Sequence, residues 1–226
     1  MSGSYSVLAN FPGSSQYIFA WASRGAVELK KDSWLGAPYT NCSPRTLNHN
    51  VAISFLKDKS NLMGPEASSR VGAASGDDQV NWVTSGPTDR SNVHVATFDG
   101  SNALVTWEEI ASPTCDNPAM GCSGQFTGSY FQQVDNTGKK LGRPISAMDV
   151  FVAGDIVNMG HGKLCWPYVE MSWDLSCPVG EGLPVTSTSY MSFACMRIDS
   201  GIKSAKRRHG HSSRLFRNSL DYYILH

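Results

Sequence analysis

The segment Val95-Ala-Thr-Phe-Asp-Gly-Ser-Asn-Ala-Leu-Val-Thr-Trp107 reads as two strands folded back on each other. Its arms are rich in β-branched and aromatic residues, and between them Asp99-Gly100 tolerates the positive φ that a tight hairpin demands. Ile156-Val-Asn-Met-Gly-His-Gly-Lys-Leu-Cys-Trp166 repeats the plan of strand, glycine-containing hairpin and strand ending in tryptophan. The two tryptophans, at 107 and 166, lie 59 positions apart. A shorter echo, Asn50-Val-Ala-Ile-Ser-Phe55, precedes Val95 by about 44 positions, near the roughly 40 to 50 residues of known propeller repeats.

Outward from these hairpins, period-two segments bounded by Gly, Pro, Asn, Asp and Ser predict further strands. The full set is Gln16–Ala22, Asn50–Leu56, Asn92–Phe98, Ala103–Glu109, Ser129–Val134, Val150–Val152, Asp155–Met159, Lys163–Met171 and Tyr190–Ile198. Helical periodicity is almost absent before residue 212. Four strands at this spacing make a blade too small to bury its own faces, so blades must stack on neighbours. The expected fold is all-β: over residues 1–200 a β-propeller of four-stranded antiparallel blades, complete or incomplete. By that spacing the chain holds about four blades, the bottom of the roughly four to eight used by closed propellers. A β-sandwich of the same hairpins is the alternative. From residue 201 the composition turns basic, and Leu215, Phe216, Leu220, Tyr223 and Ile224 fall at helical spacing. Residues 201–226 are therefore expected to form a short helical or disordered tail outside the repeat.

The chain has 226 residues, within the roughly 200 to 250 of single all-β domains. Its zero formal charge is unevenly spread: residues 1–200 carry 13 Lys+Arg against 18 Asp+Glu, a net of −5, and residues 201–226 carry 6 against 1, a net of +5. The N-terminus lacks a basic then apolar leader, and no run approaches the roughly 18 apolar residues of a membrane span. A cytoplasmic location without membrane partners is expected. On that basis the six cysteines are expected to be reduced thiols. Cys165 and Cys195 lie in strand-like runs and read as small core residues. Cys115 and Cys122 flank a loop containing Pro and Gly, where a disulfide or a metal clip could form. Lys206-Arg207-Arg208, with Arg214 and Arg217, could be a nuclear address or an RNA patch, yet such a terminal cluster is commonly a solvated end, and nucleic acid is not an expected partner.

Candidate chemistry concentrates on two hairpin ends. In Thr106-Trp107-Glu108-Glu109 neighbouring carboxylates point to opposite faces of a strand, so at most one serves a given pocket. Asp155 opens a strand, while Trp166, Tyr168 and Glu170 alternate onto one face of its partner; aromatic rings beside a carboxylate can hold a small apolar ligand or can simply be core. His49 and His94 each precede Val/Ala-rich strands, as if at equivalent blade positions; with no third ligand apparent, metal is not expected. Phosphate-loop, nucleophile-elbow and His-Glu-x-x-His motifs are missing, which disfavours nucleotide-driven, esterase and zincin chemistry, and no cofactor is expected.

Pro44–His49, Asn92–Thr97, Leu104–Glu109, Tyr130–Asp135, Val152–Val157, Lys163–Tyr168 and Met191–Cys195 together resemble a fungal propeller-like family, that of the non-P450 protein of trichothecene mycotoxin gene clusters and its paralogues. The resemblance runs from about residue 44 to 200. It implies a role in sesquiterpenoid secondary metabolism, with a terpenoid ligand and an acid-assisted cyclisation or tailoring step. Such a step needs an acid in a dry, aromatic-lined pocket. Glu108, Asp155 and Glu170 are then candidate acids, His94 a proton acceptor, and Trp107, Trp166 and Tyr168 walls that stabilise positive charge. Glu170 also counts among the ligand contacts. The chain is short for that family and its tail is unlike it, so an incomplete propeller that self-associates is a further expectation. A carbohydrate-binding propeller and a scaffold without chemistry are the alternatives.

Overall fold

The computed structural model of the chain describes residues 6–31, 40–58, 61, 81–115, 121–169, 191–198 and 222–225. In chain order the strands are β1 (Ser6–Asn10), β2 (Tyr17–Ser23), β3 (Ala26–Lys31), β4 (Thr40–Pro44), β5 (Asn50–Leu56), β6 (Asn81–Trp82) and β7 (Asp89–Thr97). They continue with β8 (Asn102–Thr114), β9 (Ser123–Asp135), β10 (Lys140–Ala147), β11 (Val157–Asn158), β12 (Lys163–Tyr168), β13 (Ser192–Arg197) and β14 (Tyr222–Leu225). No helix occurs among the described residues.

The strands form three four-stranded antiparallel sheets, ordered β1-β2-β5-β6, β7-β8-β9-β10 and β11-β12-β13-β14, with β3 and β4 as a separate hairpin. The second and third sheets are simple meanders. In the first, the β3–β4 hairpin is inserted between the second and third strands.

Period two decides how the sheets stack. In β2, Ile18, Ala20 and Ala22 are buried on one face while Tyr17, Phe19 and Trp21 alternate onto the other. Ile18, Ala20 and Ala22 meet Val51, Ile53 and Phe55 of β5, and Val93, Val95, Val105 and Trp107 of the second sheet, in one core. Neighbouring residues on the same strands, Ala96 and Leu104, point the other way, into a second core with Phe131, Trp166, Tyr168, Ala194 and Met196. The second sheet thus has a core on each face, a three-layer stack where a sandwich has two layers. All-β architecture in four-stranded antiparallel sheets matches the sequence expectation, and the described strands close no ring.

Three departures from the sequence expectation have physical reasons. Val150–Val152 is apolar and buried but is not a strand; its backbone serves side chains instead, Phe151 O accepting from Trp166 Nε1 at 3.0 Å and Val152 O from Asn92 Nδ2 at 2.8 Å. Tyr222–Leu225 is not helical but pairs with β13 as the edge of the third sheet, so part of the basic segment joins a sheet. Cys115–Cys122 and Cys165–Cys195 are disulfides rather than thiols. Cys165 and Cys195 are directly opposed across β12 and β13, with Cα atoms 4.1 Å apart, and both are buried as expected.

Candidate functional site

The first strand of each sheet is an edge, and the three edges converge. Thr97 at the end of β7 donates its hydroxyl to the carbonyl of Asn10 at the end of β1 at 2.7 Å. Asn158 on β11 donates its amide to the Thr97 and Phe98 carbonyls at 2.7 and 3.0 Å. These clips border a groove of about 430 Å³ lined by Val7–Ala9 of β1, His94–Thr97 of β7 and Asp155–Asn158. That size lies within the roughly 300 to 1,000 Å³ of small-molecule sites.

A β-bulge sets the polar end of this groove. Ser91 pairs with Glu108 and His94 with Thr106, so β7 carries one residue more than β8 between these pairs. Asn92 absorbs the excess at φ +50°, a left-handed conformation that Asn accepts more readily than most residues. The turn aims its amide at three groups. Asn92 Nδ2 donates to Glu108 Oε1 at 2.7 Å and to Val152 O at 2.8 Å. With the amide nitrogen committed to two oxygens, Asn92 Oδ1 accepts from His94 Nε2–H at 3.0 Å, which leaves Nδ1 as the basic atom of the neutral ring.

The surroundings move the pKa values of the two titrating groups toward each other. Burial raises the Glu108 carboxyl above its ordinary value, the Asn92 hydrogen bond opposing it. Burial lowers the His94 imidazole, opposed by the Asp155 charge and a hydrogen bond to the Val152 backbone. A carboxyl shifted toward its protonated form, joined through Asn92 to an imidazole shifted toward its neutral form, is an arrangement suited to proton transfer. His94 and Asp155 face the groove, and Glu108 reaches it through Asn92.

Of the sequence candidates, His94, Asp155 and Glu108 come together. Glu109 instead binds Arg90 Nε at 2.9 Å, so the two adjacent glutamates do serve different partners. The aromatic candidates stand elsewhere. Trp107 is buried in the core between the first two sheets, stacked on Tyr130; Trp166, only 1% exposed, and Tyr168 lie in the core between the second and third. The void beside Trp166 is about 10 Å³, room for a single water at most. Glu170 lies outside the described residues. His49 and His94 do not occupy equivalent positions, since His49 precedes the third strand of its sheet and His94 lies on the first strand of another. Asn92 was missed, because its role depends on the bulge; an Asn two residues ahead of a His at a strand start is the only signal the sequence offers.

No protein-family model, no curated protein and no solved structure matches the chain. Among the described residues no helix is long and apolar enough to cross a membrane.

Proposed function

We propose that the three sheets are consecutive blades of a β-propeller, and that the groove on their first strands binds a small oxygenated molecule on which His94 acts as the acid–base group. Convergence of β1, β7 and β11 supports the radial arrangement. So do Trp21, Trp107 and Trp166, each on the second strand of its sheet. Trp107 and Trp166 face the preceding sheet, and Trp21 lies on the face of β2 away from the second sheet, where a preceding blade would stack.

The single observation that carries the functional reading is the Glu108–Asn92–His94 chain ending at Asp155 and the groove. Asn92 fixes the imidazole tautomer; Nδ1 takes a proton from a ligand hydroxyl, and the Asp155 carboxylate stabilises the imidazolium that forms. The alkoxide so formed displaces a leaving oxygen within the same molecule, and return of the proton to that oxygen completes an intramolecular ring closure. The groove's aliphatic side, Val7, Leu8, Ala9 and Ile156, suits a terpenoid skeleton, and the family resemblance makes that ligand an oxygenated sesquiterpenoid of fungal secondary metabolism. A free carbocation is a weaker reading, since the aromatic walls it requires lie in the cores. The same placement weakens the carbohydrate-binding alternative, which relies on rings open to stack on sugars.

The cytoplasmic expectation pulls against the two disulfides, because such bonds persist in oxidising compartments. The test of function is incubation with oxygenated sesquiterpene alcohols, followed by mass spectrometry of products and calorimetric titration. Binding with turnover by the wild type, and binding without turnover by His94→Gln, is the expected pair of results; absence of binding by the folded wild type would leave a scaffold as the better reading.

A further inference from the structure

The β8–β9 hairpin ends in the Cys115–Cys122 disulfide just beyond the last paired residues, Thr114 and Ser123. That end rests on the connection between β4 and β5: Cys122 Sγ lies 3.9 Å from the Leu47 carbonyl oxygen. Beneath it are His49, ahead of β5, and Asp89, the first residue of β7. One ligand atom each of His49, Asp89 and Cys122 lies within 4.8 Å of the others. Asp89 Oδ1 accepts from His49 Nδ1–H at 2.8 Å and from the His49 backbone N–H at 2.7 Å. A carboxylate on Nδ1–H is how metal-binding histidines are oriented, with Nε2 left as the donor atom. His49 and Asp89 are 5% and 2% exposed, whereas Cys122 and its partner are only half-buried, so a reductant reaches the bridge more easily than it reaches the buried pair.

The geometry points to a thiol-gated zinc site: reduction of the Cys115–Cys122 bridge frees two thiols beside His49, and Zn²⁺ binds to Cys115, Cys122 and His49 Nε2, with Asp89 orienting the ring from Nδ1 and water as the fourth ligand. Two cysteines, one histidine and a water are donors that Zn²⁺ accepts in tetrahedral geometry, and thiolates favour it over hard cations. The step balances. A cellular dithiol gives two electrons and two protons to the bridge and is itself oxidised to a disulfide, yielding two Cys–SH; Zn²⁺ then displaces two protons to form two Zn–S bonds. In an oxidising compartment the hairpin end is locked covalently, and in a reducing one it is locked by metal. The disulfide closes the hairpin end on itself, whereas the metal also ties that end to His49 at the entry to β5.

The experiment uses the full chain and zinc alone, with a phosphine reductant. The phosphine becomes its oxide, water supplying that oxygen and the two thiol protons. Expected is no bound zinc while the bridge is intact, one equivalent after reduction, and, with Co²⁺ in its place, the thiolate charge-transfer bands of a tetrahedral site. His49→Gln should lose at least 100-fold in affinity, and Cys115→Ser at least as much. Circular dichroism establishes that each variant is folded, and Cys122→Ser serves if Cys115→Ser is not. Equal zinc uptake by the reduced wild type and the folded His49→Gln or cysteine variants would overturn the proposal, as would failure of the reduced wild type to bind.

Discussion

At the residue scale, Asn92 carries the most structure per atom. Its backbone is left-handed and its amide joins Glu108, His94 and Val152. Asn92→Ala removes three hydrogen bonds and keeps an unfavourable φ, and is expected to cost about 2–4 kcal/mol in urea unfolding. Asn92→Gly loses the same bonds without the φ penalty and should fall short of that by about 1 kcal/mol; equal losses would contradict the strained turn. The titrating pair gives two opposed pH slopes. Because Glu108 is raised in the folded chain from 4.5, its contribution to stability is full below the ordinary carboxyl range and is lost as the pH rises through the folded value. Because His94 is lowered from 6.5, its contribution is full above that value and is lost as the pH falls toward the folded one. Urea midpoints measured across pH should show Glu108→Gln flattening the first slope and His94→Gln the second; unchanged slopes would remove both groups from the buried chain.

At the element scale, the hairpins β7–β8 and β11–β12 were legible because the residues flanking their turns are rich in aliphatic, β-branched and aromatic types and the turns carry Asp-Gly or Gly-His-Gly. Gly160 and Gly162 adopt φ of +76° and +66°, with His161 at +51°, the conformation for which that turn was read. β10 was not legible: Lys140–Ala147 contains Gly142, Arg143 and Pro144, is mostly exposed, and pairs on one side only. Val150–Val152 misled for the opposite reason, since burial without a ladder partner looks the same in sequence as a strand. Of the site, the types of His94, Asp155 and Glu108 were readable, whereas the bulge that joins them and the 40 and 73 positions separating His49 from Asp89 and Cys122 were not. The cross-strand Cys165–Cys195 bond closes a 30-residue separation, and Cys165→Ala with Cys195→Ala should lower stability by about 2–4 kcal/mol. Alkylation of the unfolded, unreduced chain should leave Cys115, Cys122, Cys165 and Cys195 unlabelled; labelling of the last two would return them to simple core thiols.

At the scale of the whole molecule, the second sheet is the keystone, because its two faces supply both cores and its first strand is clipped to both neighbours. Loss of Trp166, buried at the second core and held by Phe151 O, should therefore cost about 3–5 kcal/mol in Trp166→Ala and loosen the third sheet first, as hydrogen exchange of β12 and β13 would register. Exposed Leu8 on β1, at 55%, and Val157 on β11 leave the groove rim apolar, as the proposed aliphatic ligand requires. The most direct measurement is an amide chemical-shift titration of the full chain with an oxygenated sesquiterpene alcohol. Saturable shifts confined to Val7–Ala9, His94–Thr97 and Asp155–Asn158, abolished by Leu8→Trp filling the groove, are predicted; shifts centred on any other surface, or unaffected by Leu8→Trp in a folded variant, would contradict a binding site on the converging first strands.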